Sequence, residues 1–470
     1  KGSTILDAAQ RAGVMLNAPC GGEGICGGCK VRVMAGPVST PNLNEEAELG
    51  GEQVRENWRL ACETEILGDV RVHIPPESLA TAQRMQIEGR NPPFELEPAI
   101  STRELELTPP SINDLRSDAT RLREALLMPE LEIPLPVLRS LPNDLRANDY
   151  HVSTFLRGSS LVALRPSGRS ALGFAVDLGT TKVAGYLVDL ASGETLASAG
   201  AMNPQIAFGE DVMARIGHVI EKPGGGEQLR SAIVQALSDL AGEICGKVWR
   251  ATSDIADVVV VGNTAMHHLF LGLPVRQLGL APYVPAESAA LDIPAQEIGF
   301  DFAPGANVHL LPNIAGFVGA DHVAMLLGSG MLEQAGVVLG MDIGTNTEIS
   351  LMAHGRHFAC STASGPAFEG AHIRHGMRAA PGAIEKVVIH EGKVMLQTIE
   401  DQPPVGICGS GILDLVAQLH KNGMIDGRGR LDMTKDEVRI RKGSHGREFV
   451  VAAGSGGGEG EITFGQGDIS

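Results

Sequence analysis

Four of the seven cysteines crowd the first 65 residues: Cys20, Cys26 and Cys29 in "APCGGEGICGGCKVRV", and Cys62 in "RLACETE". Their spacing is C-x5-C-x2-C, followed by 32 intervening residues before Cys62. Thiolates placed this closely bind a soft metal. A structural zinc site pairs two short knuckles, whereas here one knuckle exists and the fourth ligand stands alone. Zinc and unligated thiols are the bland readings. Glycines 21, 22, 24, 27 and 28 have a physical role in such a loop. They allow positive φ and close backbone approach, so that N–H groups reach the sulfurs of a metal centre. Cys245, Cys360 and Cys408 are scattered through the remainder. One local metal site in a reducing, cytosolic protein explains this pattern better than a secreted disulfide framework.

A second chemistry sits at two hairpin tips. "GFAVDLGTTKVAGYLVDLASGE" reads as an apolar strand, a turn over Asp177–Thr181, a second apolar strand and a Ser-Gly turn. "VVLGMDIGTNTEISLMAHGR" repeats the plan around Asp342, 165 residues further on. Both share an Asp, an apolar residue, Gly and Thr. Backbone N–H groups and hydroxyls at such a tip hold phosphate oxygens, and the carboxylate holds Mg²⁺ directly or through water. One such tip alone reads more safely as an ordinary buried hairpin. Two imply a duplicated fold facing one cleft.

The elements that must position these residues are partly visible. "STILDAAQRAG" reads as a helix capped at Ser3 or Thr4 and stopped at Gly13. "KVRVMAG" and "GDVRVHIP" alternate as strands. Residues 77–98 are polar and proline-rich, as a linker is. "SINDLRSDATRLREAL" predicts a capped helix, and helix and short hairpin alternate up to about residue 171. No catalytic constellation is visible there. "DIADVVVVGNTAMHHLFLG" predicts a buried strand, a Gly-Asn-Thr turn and a short helix in which His267 and His268 serve packing. In "NPQIAFGEDVMARIGHVI", Glu210 and Asp211 precede a helix and either cap its positive end or orient an attacking water. "ICGSGILDLVAQLH" opens a helix with Gly409, Ser410 and Gly411, suited to phosphate or ribose contact. Cys408 has no ligand partners at metal spacing and reads as a small buried residue.

Three ligands in one loop plus one distant cysteine resembles the [2Fe–2S] ferredoxins. The longer first gap is similar to that of their adrenodoxin-like members. The flanking helix and strands are similar to the β-grasp fold of that family. The paired hairpins resemble the acetate and sugar kinase, chaperone and actin superfamily, in which two ribonuclease-H-like halves grip ATP. That resemblance assigns Asp177, Gly179, Thr180 and Thr181 to a first phosphate loop, and Asp342, Gly344, Thr345 and Asn346 to a second. The pairing of both parts, with "NPQ…GEDV", "DIGTNTE" and "SGPAFEG", resembles the reductive activators of corrinoid proteins over essentially the whole chain. Thr347 stands where members of that group often carry Gly.

The expected architecture is therefore α+β and α/β multidomain. A β-grasp ferredoxin domain (1–76) is followed by a linker (77–98), a small α/β middle domain (99–171) and an actin-like, ribonuclease-H-like duplicated ATPase domain (172–470). The β-hairpin that begins a β-grasp domain and the superfamily's last adenosine-binding segment are not recognisable, so the sequence is expected to be truncated at both ends. The resemblance implies a [2Fe–2S] cluster on Cys20, Cys26, Cys29 and Cys62, and ATP with Mg²⁺, with Asp211 and Asp342 in catalytic roles. It implies a corrinoid methyl-transfer protein and a cellular electron donor as partners, a cytoplasmic setting, and chains able to pair through the ATPase region. A kinase or amide-hydrolysing ATPase with a sensing cluster, and a nucleotide-independent electron carrier, are the competing functions.

Composition narrows these classes. With 470 residues, 43% hydrophobic and 20% charged, the chain is a multidomain globular protein. A net charge of −18 argues against a nucleic-acid partner, which needs a basic surface. No apolar run reaches the roughly 20 residues that span a bilayer.

Overall fold

The structure, a computed structural model, describes residues 2–12, 14, 16, 24, 27, 29–75, 78, 94–209, 211–344, 346–363, 373–377, 379–390, 392–435, 438–443, 446–453 and 461–469. Two units divide it, one over residues 1–79 and 87–338, the other over 80–86 and 339–470. Of the expected linker, residues 77 and 79–93 lie outside the described residues.

The N-terminal domain opens with α1 (Ile5–Arg11), started by the Thr4 hydroxyl, which accepts from Asp7 N at 3.1 Å. Then come β1 (Lys30–Ala35), α2 (Leu43–Arg55), β2 (Trp58–Leu60) and β3 (Arg71–His73). The strands form an antiparallel sheet in the order β2-β1-β3. Ile5, Leu16, Val31, Leu49 and Leu60 form its core beside Cys29 and Cys62.

Residues 101–166 form a folded domain with its own core. Its elements are β4 (Ser101–Glu106), α3 (Asp118–Leu126), α4 (Leu135–Ala147), β5 (His151–Arg157) and β6 (Ser160–Pro166). The helix expected from Ser111 begins only at Asp118. Ser111 and Asp114 close a turn on each other, and Ser117 caps the helix by accepting from Thr120 N at 3.1 Å. The domain is riveted to the next one. Arg157 bonds Asp257 at 2.6 Å and Asp292 at 2.8 Å, and Gly305 N donates to Val162 O at 2.8 Å.

The following region holds β7 (Leu172–Leu178), β8 (Lys182–Asp189), β9 (Thr195–Met202), α5 (Val212–Glu221), α6 (Gly225–Lys247), β10 (Ile255–Gly262), α7 (Thr264–Leu271), β11 (Leu291–Pro294), α8 (Ala295–Ile298), β12 (Asn307–Leu310) and α9 (Ala320–Gly328). The sheet order is β11-β12-β10-β7-β8-β9, with β10 parallel to both β7 and β12. Three antiparallel strands, then helices, then a parallel strand against the first is the arrangement expected of a ribonuclease-H-like half. Long α6 places Leu229, Ile233, Leu237, Leu240 and Ile244 on one buried stripe, the three-to-four spacing of a core-facing helix.

The second unit contains β13 (Val338–Ile343), β14 (Asn346–Ala353), β15 (Arg356–Ala363), β16 (Ala383–His390), β17 (Lys393–Thr398), β18 (Gly406–Ile407), α10 (Gly409–Lys421), β19 (Ile440–Gly443), β20 (Gly446–Ala452), β21 (Ile462–Gly465) and α11 (Gln466–Ile469). Among the described residues the strands form three three-stranded sheets. α10 covers β16, and Ile384, Val387, Ile407, Leu415, Phe449 and Phe464 build the core. Among the described residues no helix is long and apolar enough to cross a membrane.

Candidate functional site

Cys29 and Cys62 are buried, unbridged, and bring their sulfurs to 3.3 Å. A disulfide would hold them at about 2.05 Å. A tetrahedral metal with bonds of about 2.3 Å would hold them about 3.8 Å apart. The pair therefore converges on one point, as two ligands of one metal do. Cys20 and Cys26 lie outside the described residues, and among those described no three ligating side chains meet.

The supports of this thiol pair are built in. Ala61 N donates to Cys29 O at 2.9 Å, tying the two ligand segments together. Glu45, wholly buried on α2, accepts from Arg59 Nε at 2.9 Å, Leu60 N at 3.0 Å and the Thr64 hydroxyl at 3.0 Å. It thereby brackets Cys62 from both sides. Burial works to raise the Glu45 carboxyl, but Arg59 and the Leu60 amide outweigh it and hold the group below the ordinary range. Gly24 and Gly27 have φ of 72° and 63°, the left-handed region where glycine alone is unstrained. A buried thiol pair, with positive-φ glycines at 24 and 27 in the same segment as Cys29, fits an iron–sulfur cluster.

At the first hairpin, Asp177 faces Ala184 across β7–β8 and is exposed. A Cβ on Gly179 would strike Lys182 O. Buried Asn203 donates Nδ2 to Gly179 O at 2.8 Å and its backbone N to Thr181 O at 2.9 Å. Buried Arg215, on α5, donates to Thr180 O, and its Nε reaches Gly209 O at 2.8 Å. Three consecutive tip carbonyls are thus bonded into the domain, which takes their negative ends away from an approaching anion. Asn263 Nδ2 donates to Thr180 Oγ1 at 2.8 Å, while its Oδ1 caps α7 through Met266 N at 3.0 Å. Gly319, which precedes α9, packs so closely that a Cβ would lie 2.4 Å from Asn263 Cα. The starts of α7 and α9 are therefore gathered at the tip, and helix starts favour anions.

Asp211 is the N-cap of α5, its Oδ1 accepting from Ala214 N at 2.7 Å. Of the two roles open to it, its geometry serves the cap; Glu210 lies outside the described residues. His267 and His268 are buried in α7. His268 bonds Thr264 O and accepts from Ala286 N. Burial, aided by His268, pushes His267 down to about 4. Packing accounts for both.

At the second hairpin, Asp342 lies near the end of β13, and Gly344 N donates to Asn346 O at 3.1 Å. Thr345 and the "SGPAFEG" segment lie outside the described residues. Glu348, unassigned by sequence reasoning, accepts from the Ser361 hydroxyl at 2.9 Å. Burial pushes its carboxyl up, the Asp342 charge adds to that, and Ser361 opposes it. Just before α10, the Cys408 thiol donates to Ile384 O at 3.2 Å. Gly411 touches the same carbonyl so closely that no side chain would fit, so its service is packing. Ser410 opens instead on a cavity of about 400 Å³ shared with Glu385, Lys386, Gln397 and Asp414.

The missed residues are Asn203, Arg215, Asn263 and Glu348. The Asn-Pro-Gln and Gly-Asn-Thr turns were visible signals for the asparagines. An arginine on an amphipathic helix gives no sign of burial.

Four family models tile the chain. A 2Fe-2S iron-sulfur cluster binding domain matches residues 1–67, the RACo linker region 89–171, the RACo middle region 172–334, and the C-terminal ASKHA domain of RACo 336–470. The corrinoid activation enzyme RamQ of Eubacterium limosum is 32% identical over 447 residues, which is 91% of this chain and 69% of that protein. The chain belongs to this family of corrinoid activators. A solved structure, described as a reductive activator for corrinoid, iron-sulfur protein, shares 36% identity. It superimposes with a TM-score of 0.67 over 99% of this chain and 78% of its own. A further relative is the methylated amine-specific corrinoid protein reductase of Methanosarcina barkeri, which acts on Co(II). It is 28% identical over 54% of this chain and 52% of its own length. Within the activator family, the thiol pair belongs to the iron–sulfur domain, the first hairpin to the middle region and the second to the ASKHA domain.

Proposed function

We propose that this chain restores a corrinoid protein by ATP-dependent transfer of one electron to its cobalt(II), giving the nucleophilic cobalt(I) used in methyl transfer. When bound, a [2Fe–2S] cluster supplies that electron, having taken it from a cellular donor. Cys20, Cys26, Cys29 and Cys62 would hold it, with Glu45 fixing the Cys62 turn. Asp177 and Asp342 would hold Mg²⁺, directly or through water. Gly179, Thr180 and Thr181 at one tip, and Gly344, Thr345 and Asn346 at the other, would hold the ATP phosphates. Gly409 and Ser410 would take the nucleotide's remaining polar groups at the start of α10, with Gly411 allowing α10 to close on β16. Asp211 would act at one remove, by starting the helix whose Arg215 grips Thr180.

The observation that carries this reading is the pairing, in one activator-family chain, of a converging buried thiol pair with a firmly braced acidic hairpin. We divide the chain as residues 1–76, 77–98, 99–171 and 172–470, place it in the cytoplasm because its cysteines are concentrated at one local metal site rather than spread as a disulfide framework, and read it as able to pair through residues 172–470. ATP matters because reducing cobalt(II) is uphill, and it helps only by favouring one state of the complex over another.

Product analysis tests the ATP half of the reading. Mg-ATP incubated with the reduced protein and a cobalt(II) corrinoid protein is expected to yield ADP and phosphate, faster with the corrinoid protein than without. Phosphate recovered on a small molecule instead would make the chain a kinase.

A further inference from the structure

We infer that Glu63 sets the reduction potential of the N-terminal cluster, as a carboxylate pinned against the cluster loop. The inference rests on the reading that Cys20, Cys26, Cys29 and Cys62 hold a [2Fe–2S] cluster.

Glu63 follows Cys62 directly, and its side chain lies against Gly24, which stands between Cys20 and Cys26 in the sequence. A Cβ on Gly24 would collide with the Glu63 carboxylate, so the two residues are in contact. The carboxylate is fixed there. Asn42 donates its side-chain amide to Glu63 Oε2. Asn42 is itself held, its Oδ1 accepting from Glu45 N at 3.0 Å and its backbone N donating to Glu45 Oε2 at 3.2 Å. Glu63 N donates to Leu60 O at 3.1 Å, closing the turn that carries Cys62. Glu65, two positions on, is exposed and directed by its own backbone bond to Ser39 Oγ. A negative charge held beside a redox centre opposes adding an electron, and partial burial keeps solvent and salt from screening it. A donor for cobalt(II) needs such a reluctance.

Redox titration of the intact holoprotein, followed by cluster absorbance, tests this. Glu63→Gln is expected to favour the reduced cluster about tenfold at a given potential, about 59 mV for one electron. Glu65→Gln should shift it less than twofold. Should Glu63→Gln load no cluster, Glu63→Ala removes the same charge and should give the same tenfold shift, while Glu63→Asp keeps the charge and stays within twofold. Equal, small shifts for the Glu63 and Glu65 variants would overturn the inference and leave the cluster intact as a reading. A wild-type protein without [2Fe–2S] absorbance would overturn both.

Discussion

The two acidic hairpins share a pattern but differ in burial. Phe174, Val176 and Leu178 of β7 are 1%, 2% and 1% exposed. Their counterparts on β13, at the same offsets from the aspartate, are Leu339, Met341 and Ile343, at 58%, 54% and 50%. β7 has β10 beside it and the helices of the first half over it, whereas β13 is an edge strand among the described residues. Among the described residues the tips differ likewise. The first is held by Asn203, Arg215 and Asn263, and the second shows the local Gly344–Asn346 bond. The motif specifies a turn; its rigidity comes from what later chain segments bring to it.

The largest test of that contrast is in packing. Phe174→Ala is expected to cost about 3–5 kcal/mol of stability, because a filled core site is emptied. Leu339→Ala should cost within about 0.5 kcal/mol, as exposed positions do. Denaturant unfolding of both variants compares them, and an equal cost would mean that a partner covers the β13 face. The next effect concerns chemistry. Asp177→Asn and Asp342→Asn should each lower ATP turnover by about a hundredfold, the scale for losing one group that stabilises developing charge. A loss confined to one variant would break the equivalence of the tips.

A smaller effect comes from pH. Burial keeps His267 neutral when folded and pushes it down to about 4, from the ordinary histidine value of 6.5. Its unfolded form binds the proton first, so stability is full above about pH 6.5 and falls as pH drops toward 4. Between pH 7 and 5 the first half should lose about 2 kcal/mol. Denaturant midpoints at the two pH values measure this, and His267→Leu should flatten the dependence. A wild-type midpoint that stays level would contradict the buried, neutral histidine.

Much of this was legible in the sequence, and the reasons for the exceptions are physical. The hairpins announced themselves by period-two apolar runs around Asp and Gly, and α10 by its Gly-Ser-Gly start. α2 did not, because "LNEEAELGGEQVR" looks like a polar loop with two glycines, yet it carries Glu45 into the core against Arg59. Nothing in "VMARIGHVIE" marks its arginine for burial, yet Arg215 is wholly buried. The apolar runs of β7 and β13 read alike, and nothing local distinguishes a strand that will be covered from one at an edge. Periodicity reports which face of an element is apolar; distant segments decide what meets it.

The most direct test of the central claim is cobalt(I) absorbance. The protein would be reduced anaerobically, mixed with a cobalt(II) corrinoid protein, and followed with and without Mg-ATP. The account predicts cobalt(I) formation with Mg-ATP and little without it. Equal formation in both would make the chain a nucleotide-independent electron carrier, and none in either, with the cluster reduced, would contradict corrinoid activation.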